Sequence, residues 1–150
     1  MVECYLVAIC QGSSVDAESN AMTAFGLTEA LQLLAAPPQG QEEQAMLPLE
    51  GHAYFEQAEQ SERAMDGRLM WTNSDGDVAL ASEYPQIALR HRRMRVRFRG
   101  LKVPPWQGYL HLVAEWRLAG SDGAWERSKV SWPVEVVPPP AGPVPPTPAP

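Results

Sequence analysis

An arginine-rich segment, RHRRMRVRFRG at residues 90–100, holds six of the twelve basic residues in the chain. Four of its arginines alternate with apolar residues, which is the pattern of a β-strand with one buried and one polar face. These four form the arginine row: Arg93, Arg95, Arg97 and Arg99. On a strand they would stand about 6.6 Å apart along one face. Their guanidinium groups could there bind phosphate or carboxylate groups.

The arginine row has two interpretations, a nucleic-acid site or a solvated strand face. Proteins that bind single-stranded nucleic acid interleave aromatic side chains with basic ones, and this row has none because Phe98 points inward. Glutamates on neighbouring strands can instead pair with the arginines. The candidates are Glu56, Glu59, Glu83 and Glu115. We expect a solvated face that helps to contact another protein, and nucleic-acid binding through Arg90–Arg99 is the alternative.

Four of the five tryptophans fall within residues 106–132. Trp116 and Trp132 lie on the apolar faces of their predicted strands and are assigned to the core. Trp106 follows two prolines in a loop, and Trp125 lies beside a turn on the polar side. Exposed tryptophans are enriched at protein interfaces, so these two are predicted to anchor a partner.

No constellation typical of catalysis is apparent in the sequence. Ser13 and Ser14 lie near Asp16, but the sharp Gly-x-Ser-x-Gly turn of many hydrolases is missing, and such polar segments are usually turns. The two cysteines, Cys4 and Cys10, would lie about 20 Å apart on one strand, which is beyond disulfide reach. We expect reduced, buried and unreactive thiols, no catalytic residue and no cofactor. An enzyme with an unrecognised site is the second alternative.

Metal-binding patterns are also missing. Asn73, Asp75 and Asp77 alternate as in a calcium loop, but the later glutamate and the flanking helices of that motif are not there, so the segment is predicted to be a hairpin turn. Zinc sites need clustered cysteines and histidines. The histidines are scattered at His52, His91 and His111. The sequence therefore predicts no metal site.

The elements that would position these residues are strands, because period two dominates the apolar pattern. Two hairpins are predicted, one around Ser74–Asp77 and one around the AGSDG turn that precedes Trp125. Residues 2–10 and 51–58 supply two more strands, and the first is apolar on both faces, as in a central strand. Residues 27–35 fit either a helix or a strand, and the many strands predicted elsewhere in the chain favour a strand.

Composition and charge are those of a single globular domain. The chain has 150 residues, 45% of them hydrophobic, and a net charge of −6. Residues 1–89 hold fourteen acidic residues and two basic ones, whereas residues 90–150 hold ten basic and four acidic ones. Such a split indicates a half that binds polyanions or strands that neutralise each other after folding, and we favour the second. No apolar run resembles a secretory signal or reaches the length of a membrane span.

The last thirteen residues include eight prolines. They can form few backbone hydrogen bonds and have little to bury, so a disordered or polyproline II tail is predicted. The expected division is a β-sandwich domain at residues 1–137 and a Pro-rich tail at residues 138–150. The spacing of Pro140, Pro143 and Pro146 is that of a PxxP ligand, but no flanking basic residue is present, which favours a linker.

Three segments together resemble a family of small bacterial proteins of unknown function with an immunoglobulin-like β-sandwich. They are ECYLVAICQGSSVDAESNAMTAFGL at the start, NSDGDV in the middle and GLKVPPWQGYLHLVAEWRLAG with WPVEVV at the end. The resemblance spans about residues 2–137 and implies a single antiparallel sandwich without catalytic residues. We therefore expect an all-β, cytoplasmic, non-enzymatic module that binds another protein.

Overall fold

The computed structural model describes residues 1–19, 21–32 and 45–138, and within them the chain is all β, with no helix. Short turns separate most of the strands, as the Gly, Asp and Pro residues between the apolar segments indicate. The strands are β1 (Val2–Val15), β2 (Met22–Leu27), β3 (Ala30–Gln32), β4 (Ala45–Gln57), β5 (Ala64–Thr72), β6 (Val78–Ala88), β7 (Arg93–Val103), β8 (Gly108–Leu118) and β9 (Glu126–Val137). No helix long and apolar enough to cross a bilayer occurs in this part of the chain.

The strands form two sheets. The first sheet has the order β2-β1-β4-β7, and the second has the order β3-β9-β8-β5-β6. All pairs are antiparallel except β3 with β9, so the prediction of an antiparallel fold is wrong for that pair. Only Thr28 and Glu29 separate β2 from β3, but the two strands belong to different sheets, so this link crosses between the sheets instead of forming a hairpin, and β3 then runs parallel to β9.

The two sheets share one hydrophobic core. The ring centroids of Phe55 in the first sheet and Trp116 in the second lie 5.4 Å apart, and the rings meet edge to face. Trp71 of the second sheet donates a hydrogen bond from Nε1 to the carbonyl oxygen of Lys102 in the first, at 2.7 Å. Leu69 packs directly on Gly51, where a larger side chain would collide with it. Glycine at position 51 therefore sets how closely the sheets approach.

The predicted hairpins are confirmed. β5 and β6 pair on either side of the turn at residues 73–77, where Gly76 has a positive φ of 86° that glycine adopts without strain. β8 and β9 pair across the AGSDG turn. β1 lies between β2 and β4, as the prediction of a central strand requires. In β7 the apolar residues point into the core and the arginine row points away from it.

The segment that was open to two interpretations is a strand where the structure describes it. Leu27 ends β2 and Ala30–Gln32 form β3, whereas residues 33–35 lie outside the described residues. Between the two strands the chain passes from one sheet to the other. The N–H of Thr28 donates to the carbonyl oxygen of Ile9 in the first sheet, and the carbonyl oxygen of Glu29 accepts from the N–H of Glu135 in the second. Pairing with β9, rather than helix propensity, therefore determines that residues 30–32 form a strand.

The folded strands end where the domain boundary is predicted, because β9 ends at Val137. Residues 139–150, which make up nearly all of the predicted Pro-rich tail, lie outside the described residues. The division into a domain and a tail therefore stays a prediction.

Candidate functional site

The arginine row lies along β7, on the face of the first sheet that points away from the core. Arg93 and Arg99 are exposed, whereas Arg95 and Arg97 are half-buried. Met94, Val96 and Phe98, which alternate with them, are buried. β4 and β7 pair without a register shift from Arg93 to Arg99, so the regular alternation that the sequence shows is kept in the fold.

Only two members of the arginine row form ion pairs among the described residues. Arg93 Nε lies 3.7 Å from Glu56 Oε2, and Arg97 Nη1 lies 3.8 Å from Glu50 Oε1. The prediction that Glu56 pairs with the row is confirmed, whereas Glu50 was not foreseen. Arg95 and Arg99 have no carboxylate within ion-pair distance in the described part of the chain. The row therefore keeps an excess of positive charge.

Beside the row, the edges of the two sheets enclose a cleft. β7 is the last strand of the first sheet and β6 is the last strand of the second. The cleft between them has a volume of about 850 Å³ and takes in Arg95, Arg97 and Arg99 from β7. From β6 it takes in Tyr84, whose ring centroid lies 6.3 Å from that of Phe98.

A second cleft of about 450 Å³ continues along the start of β7 and shares Arg95 with the first. Its walls include Tyr5 and Tyr54, whose ring centroids lie 6.1 Å apart. The two clefts together form the β7 groove. The β7 strand itself carries no outward aromatic residue, as expected, but β1, β4 and β6 each bring a tyrosine to the groove. The sequence pattern of one strand could not reveal this.

The two tryptophans predicted to anchor a partner lie elsewhere. Trp106 is half-buried and packs against the hydrophobic core. Trp125 is half-buried on the outer side of the second sheet, where the guanidinium carbons of Arg68 and Arg117 lie 4.0 and 4.6 Å from its ring centroid. Neither tryptophan lines the β7 groove. The structure therefore does not bring these two residues together with the arginine row.

Glu115, which was a candidate partner of the arginine row, belongs to the second sheet instead. Its side chain is only 6% exposed and forms ion pairs of 2.6 Å with Arg68 and with Arg127. Hydrogen bonds from the Nε atoms of both arginines, at 2.7 and 2.8 Å, complete the arrangement. Together with Trp125 and Arg117, these residues form the Glu115 network.

A third group, the Cys10 cluster, lies on the outer face of the first sheet and consists of Cys10, Glu50 and His52. Cys10 lies directly across from Glu50 in the pairing of β1 with β4. His52 follows Glu50 by two residues on the same face, and its Nε2 lies 3.2 Å from Glu50 Oε2. One sulfur, oxygen and nitrogen atom of the three side chains lie within 4.8 Å of one another.

The charge states in the Cys10 cluster are shifted by burial and by the neighbours. Burial raises the pKa of the Cys10 thiol, and the charge of Glu50 raises it further. Burial also lowers the pKa of His52, which the hydrogen bond and the charge of Glu50 offset only in part. Burial raises the pKa of Glu50, but hydrogen bonds from Ser13 and His52 and the charge of Arg97 outweigh it, so the net pKa is lowered. The cluster therefore favours a thiol, a neutral imidazole and a carboxylate.

The hairpin of β1 and β2 also contacts this face. Ser13 Oγ donates a hydrogen bond to Glu50 Oε2 at 2.6 Å, and Tyr54 donates from its hydroxyl to Met22 Sδ at 3.4 Å. Asp16, which lies at the turn, accepts hydrogen bonds from the backbone N–H and the hydroxyl of Ser19. Ser13 therefore holds the β1–β2 hairpin to β4, and Asp16 stabilises the turn of that hairpin.

The two thiols and the turn at residues 73–77 agree with the sequence-based expectation. Cys4 and Cys10 are free and buried, as expected, and burial raises the pKa of Cys4 to about 11. The segment with alternating acidic residues is a turn, as predicted, because Asn73 Oδ1 accepts hydrogen bonds from the N–H groups of Asp75 and Asp77. The Cys10 cluster, in contrast, has no spacing signal in the sequence.

A comparison with known proteins finds no family model that matches this sequence and no curated protein that is similar to it. Function therefore has to be inferred from the β7 groove and the Cys10 cluster themselves.

Proposed function

We propose that this protein is a non-enzymatic, cytoplasmic β-sandwich of the immunoglobulin-like type that binds another protein through the β7 groove. The partner presents an extended, acidic peptide segment. The observation that carries this proposal is a cleft of about 850 Å³ between two sheet edges that is lined by three arginines of the arginine row. Two packed sheets with hairpin connections support the sandwich.

The edge of β7 offers backbone groups for an added strand. Extended peptides bind to open sheet edges through main-chain hydrogen bonds, and β7 pairs only with β4 among the described strands. The edge of β6 is less suitable because Pro85 has no N–H and Gln86 has a positive φ of 58°. Pro and irregular backbone are typical ways to block an edge. A partner strand would therefore pair with β7.

The charge of the groove favours an acidic segment. Arg95, Arg97 and Arg99 line the larger cleft against one acidic residue, Glu83. Arg95 and Arg99 form no ion pair in the described part of the chain. Guanidinium groups bind carboxylates in a bidentate manner, and an extended peptide places every second side chain on the same face. Alternate acidic residues would thus match the row.

The non-enzymatic character is supported by the state of the potential nucleophiles. Burial raises the pKa of Cys4 to about 11, and it also raises the pKa of Cys10, whereas a nucleophilic cysteine needs a thiolate. Ser13 donates its hydroxyl to Glu50, and a serine nucleophile normally pairs with a basic residue such as histidine.

The test is binding of a labelled ten-residue peptide of alternating Glu and Val to the full chain, with a Lys-Val peptide as the charge control. Arg95→Glu with Arg99→Glu should weaken binding of the acidic peptide at least tenfold, mainly through slower association. The matched control is Arg63→Glu with Lys129→Glu, which reverses two exposed charges outside the groove. An equal loss in both double variants, or equal affinity for the two peptides, would contradict the proposal.

A second candidate function is binding of single-stranded nucleic acid. The specific observation in its favour is that Tyr5, Tyr54 and Tyr84 flank the arginine row, because such sites combine basic side chains with rings that stack on bases. An oligonucleotide would lose affinity steeply with added salt and in Tyr84→Ala. Peptide binding depends mainly on the β7 backbone and the arginine charges, so Tyr84→Ala should weaken it less than it weakens oligonucleotide binding, and this difference separates the two functions.

A further inference from the structure

We propose that Cys10, Glu50 and His52 form a binding site for a zinc ion. The proposal does not rest on peptide binding in the β7 groove, although Arg97 both lines the groove and contacts Glu50.

The topology, rather than the sequence spacing, creates the donor set. The pairing of β1 with β4 places Cys10 beside Glu50, and the period of β4 places His52 on the same face. All three side chains face away from the hydrophobic core, and Cys10 and His52 are each only 1% exposed. Metal-binding groups that are buried together on one sheet face form a site that unfolding would destroy.

The donor types and distances suit zinc. Thiolate, imidazole and carboxylate are the ligands that zinc takes in proteins, at about 2.3, 2.0 and 2.0 Å, so donors of a tetrahedral site lie about 3.3–3.5 Å apart. His52 Nε2 and Glu50 Oε2 are already 3.2 Å apart. The donor atoms of all three residues lie within 4.8 Å of one another, so small side-chain rotations would bring them to the spacing of a tetrahedral site. Three protein ligands would leave the fourth tetrahedral position to water.

One nitrogen atom of the His52 imidazole is buried without a hydrogen-bond partner among the described residues. This atom, Nδ1, is out of contact with solvent. Buried polar atoms without a partner are rare, and a bound ion or water is a common explanation. Zinc at Nδ1 would satisfy this atom, and Glu50 would then hold Nε2 and orient the imidazole instead of binding the metal. Zinc at Nε2 would replace the proton between Nε2 and Glu50.

The two acidic groups of the cluster can balance the charge of a divalent cation, although two arginines lie nearby. Ionised Cys10 and Glu50 supply two negative charges, and zinc binding releases the thiol proton to solvent. Arg97 and Arg95 add positive charge near His52. Arg97 contacts Glu50 Oε1, whereas Ser13 and His52 contact Oε2. The oxygen near His52 is thus the one not held by an arginine.

The test uses cobalt(II) as a spectroscopic substitute for zinc on the full chain without an affinity tag. Thiolate ligation gives a sulfur-to-cobalt charge-transfer band, and we expect one cobalt per chain and loss of the band when zinc is added. Cys10→Ala should abolish the band, whereas Cys4→Ala should keep it, because Cys4 lies on the same strand but faces the core. His52→Gln should weaken zinc binding at least tenfold, and His111→Gln should not.

Three outcomes would overturn the zinc site. They are no charge-transfer band in the wild-type protein, a band that survives in Cys10→Ala, and equal zinc affinity in His52→Gln and His111→Gln. If Cys10→Ala does not fold, alkylation of the wild-type protein followed by peptide mapping decides the question. Zinc should then slow the modification of Cys10 at least tenfold and leave that of Cys4 unchanged, and equal effects on both thiols would overturn the site.

Discussion

The outer faces of the two sheets both carry arginines, but they use them differently. On the second sheet, Glu115 is nearly buried and binds Arg68 and Arg127 at 2.6 Å each. On the first sheet, the ion pairs of Arg93 and Arg97 are 3.7 and 3.8 Å long. The guanidinium groups of Arg68 and Arg127 are thus paired closely within the domain, whereas those of the arginine row are left with capacity for a ligand.

This difference shows that a cluster of arginines does not by itself mark a binding site. What distinguishes the two faces is how much of the positive charge is neutralised by nearby carboxylates. Removing a charge that is paired with a buried carboxylate is costly because the carboxylate is left unpaired, so such an arginine is held within the domain. A loosely paired surface charge adds little stability, and it is free to bind a partner.

The largest effect should come from removing the charge of Glu115. Glu115→Gln leaves Arg68 and Arg127 without their carboxylate, and we expect the free energy of unfolding to fall by about 2 kcal/mol, less than for a fully buried pair because both arginines are partly exposed. Glu56→Gln, which removes an exposed ion pair of the arginine row, should cost less than about 0.5 kcal/mol. Urea unfolding measures both. Equal losses would remove the distinction between the two faces.

A smaller effect is expected at Trp125. Its ring lies under two guanidinium groups of the Glu115 network, and each such contact at a partly exposed site contributes about 0.5–1 kcal/mol. Trp125→Ala should therefore lower the free energy of unfolding by about 1 kcal/mol and leave the affinity for the acidic peptide within twofold. A large loss of peptide affinity with unchanged stability would instead restore Trp125 as a partner anchor.

The strands and the direction of the arginine row could be predicted because they depend on local alternation. Arg93–Arg99 pairs with β4 without irregularity, so period two assigns each side chain to its correct face. The Cys10 cluster could not be predicted. Strict alternation would put Cys4 and Cys10 on the same face, but a register shift between Cys4 and Leu6 reverses the alternation. Cys10 therefore joins the outer face while Cys4 stays in the core.

The ion-pair partners of the glutamates could not be predicted for a similar reason. Glu56 pairs with the arginine row and Glu115 pairs in the other sheet, although both alternate with apolar residues in similar strands. Which strand lies next to which depends on long-range pairing, and the sequence of a single strand does not encode it. The parallel pair of β3 with β9 joins segments about a hundred residues apart, and no local pattern indicates it.

The smallest effect is a pH dependence that the Cys10 cluster should show and the Glu115 network should not, because the Glu115 network contains no histidine. Burial lowers the pKa of His52 from the value of 6.5 in the unfolded chain. As the pH falls below 6.5, the unfolded chain therefore binds a proton at His52 that the folded protein does not bind, and the free energy of unfolding decreases. The pKa of Glu50 is also lowered, but its contribution is lost only below its ordinary value of 4.5. Urea unfolding between pH 7.5 and 5.5, in buffer with a metal chelator, thus isolates His52. His52→Gln should flatten the pH dependence, His111→Gln should keep it, and an unchanged slope in His52→Gln would show that the buried imidazole is not the group that titrates.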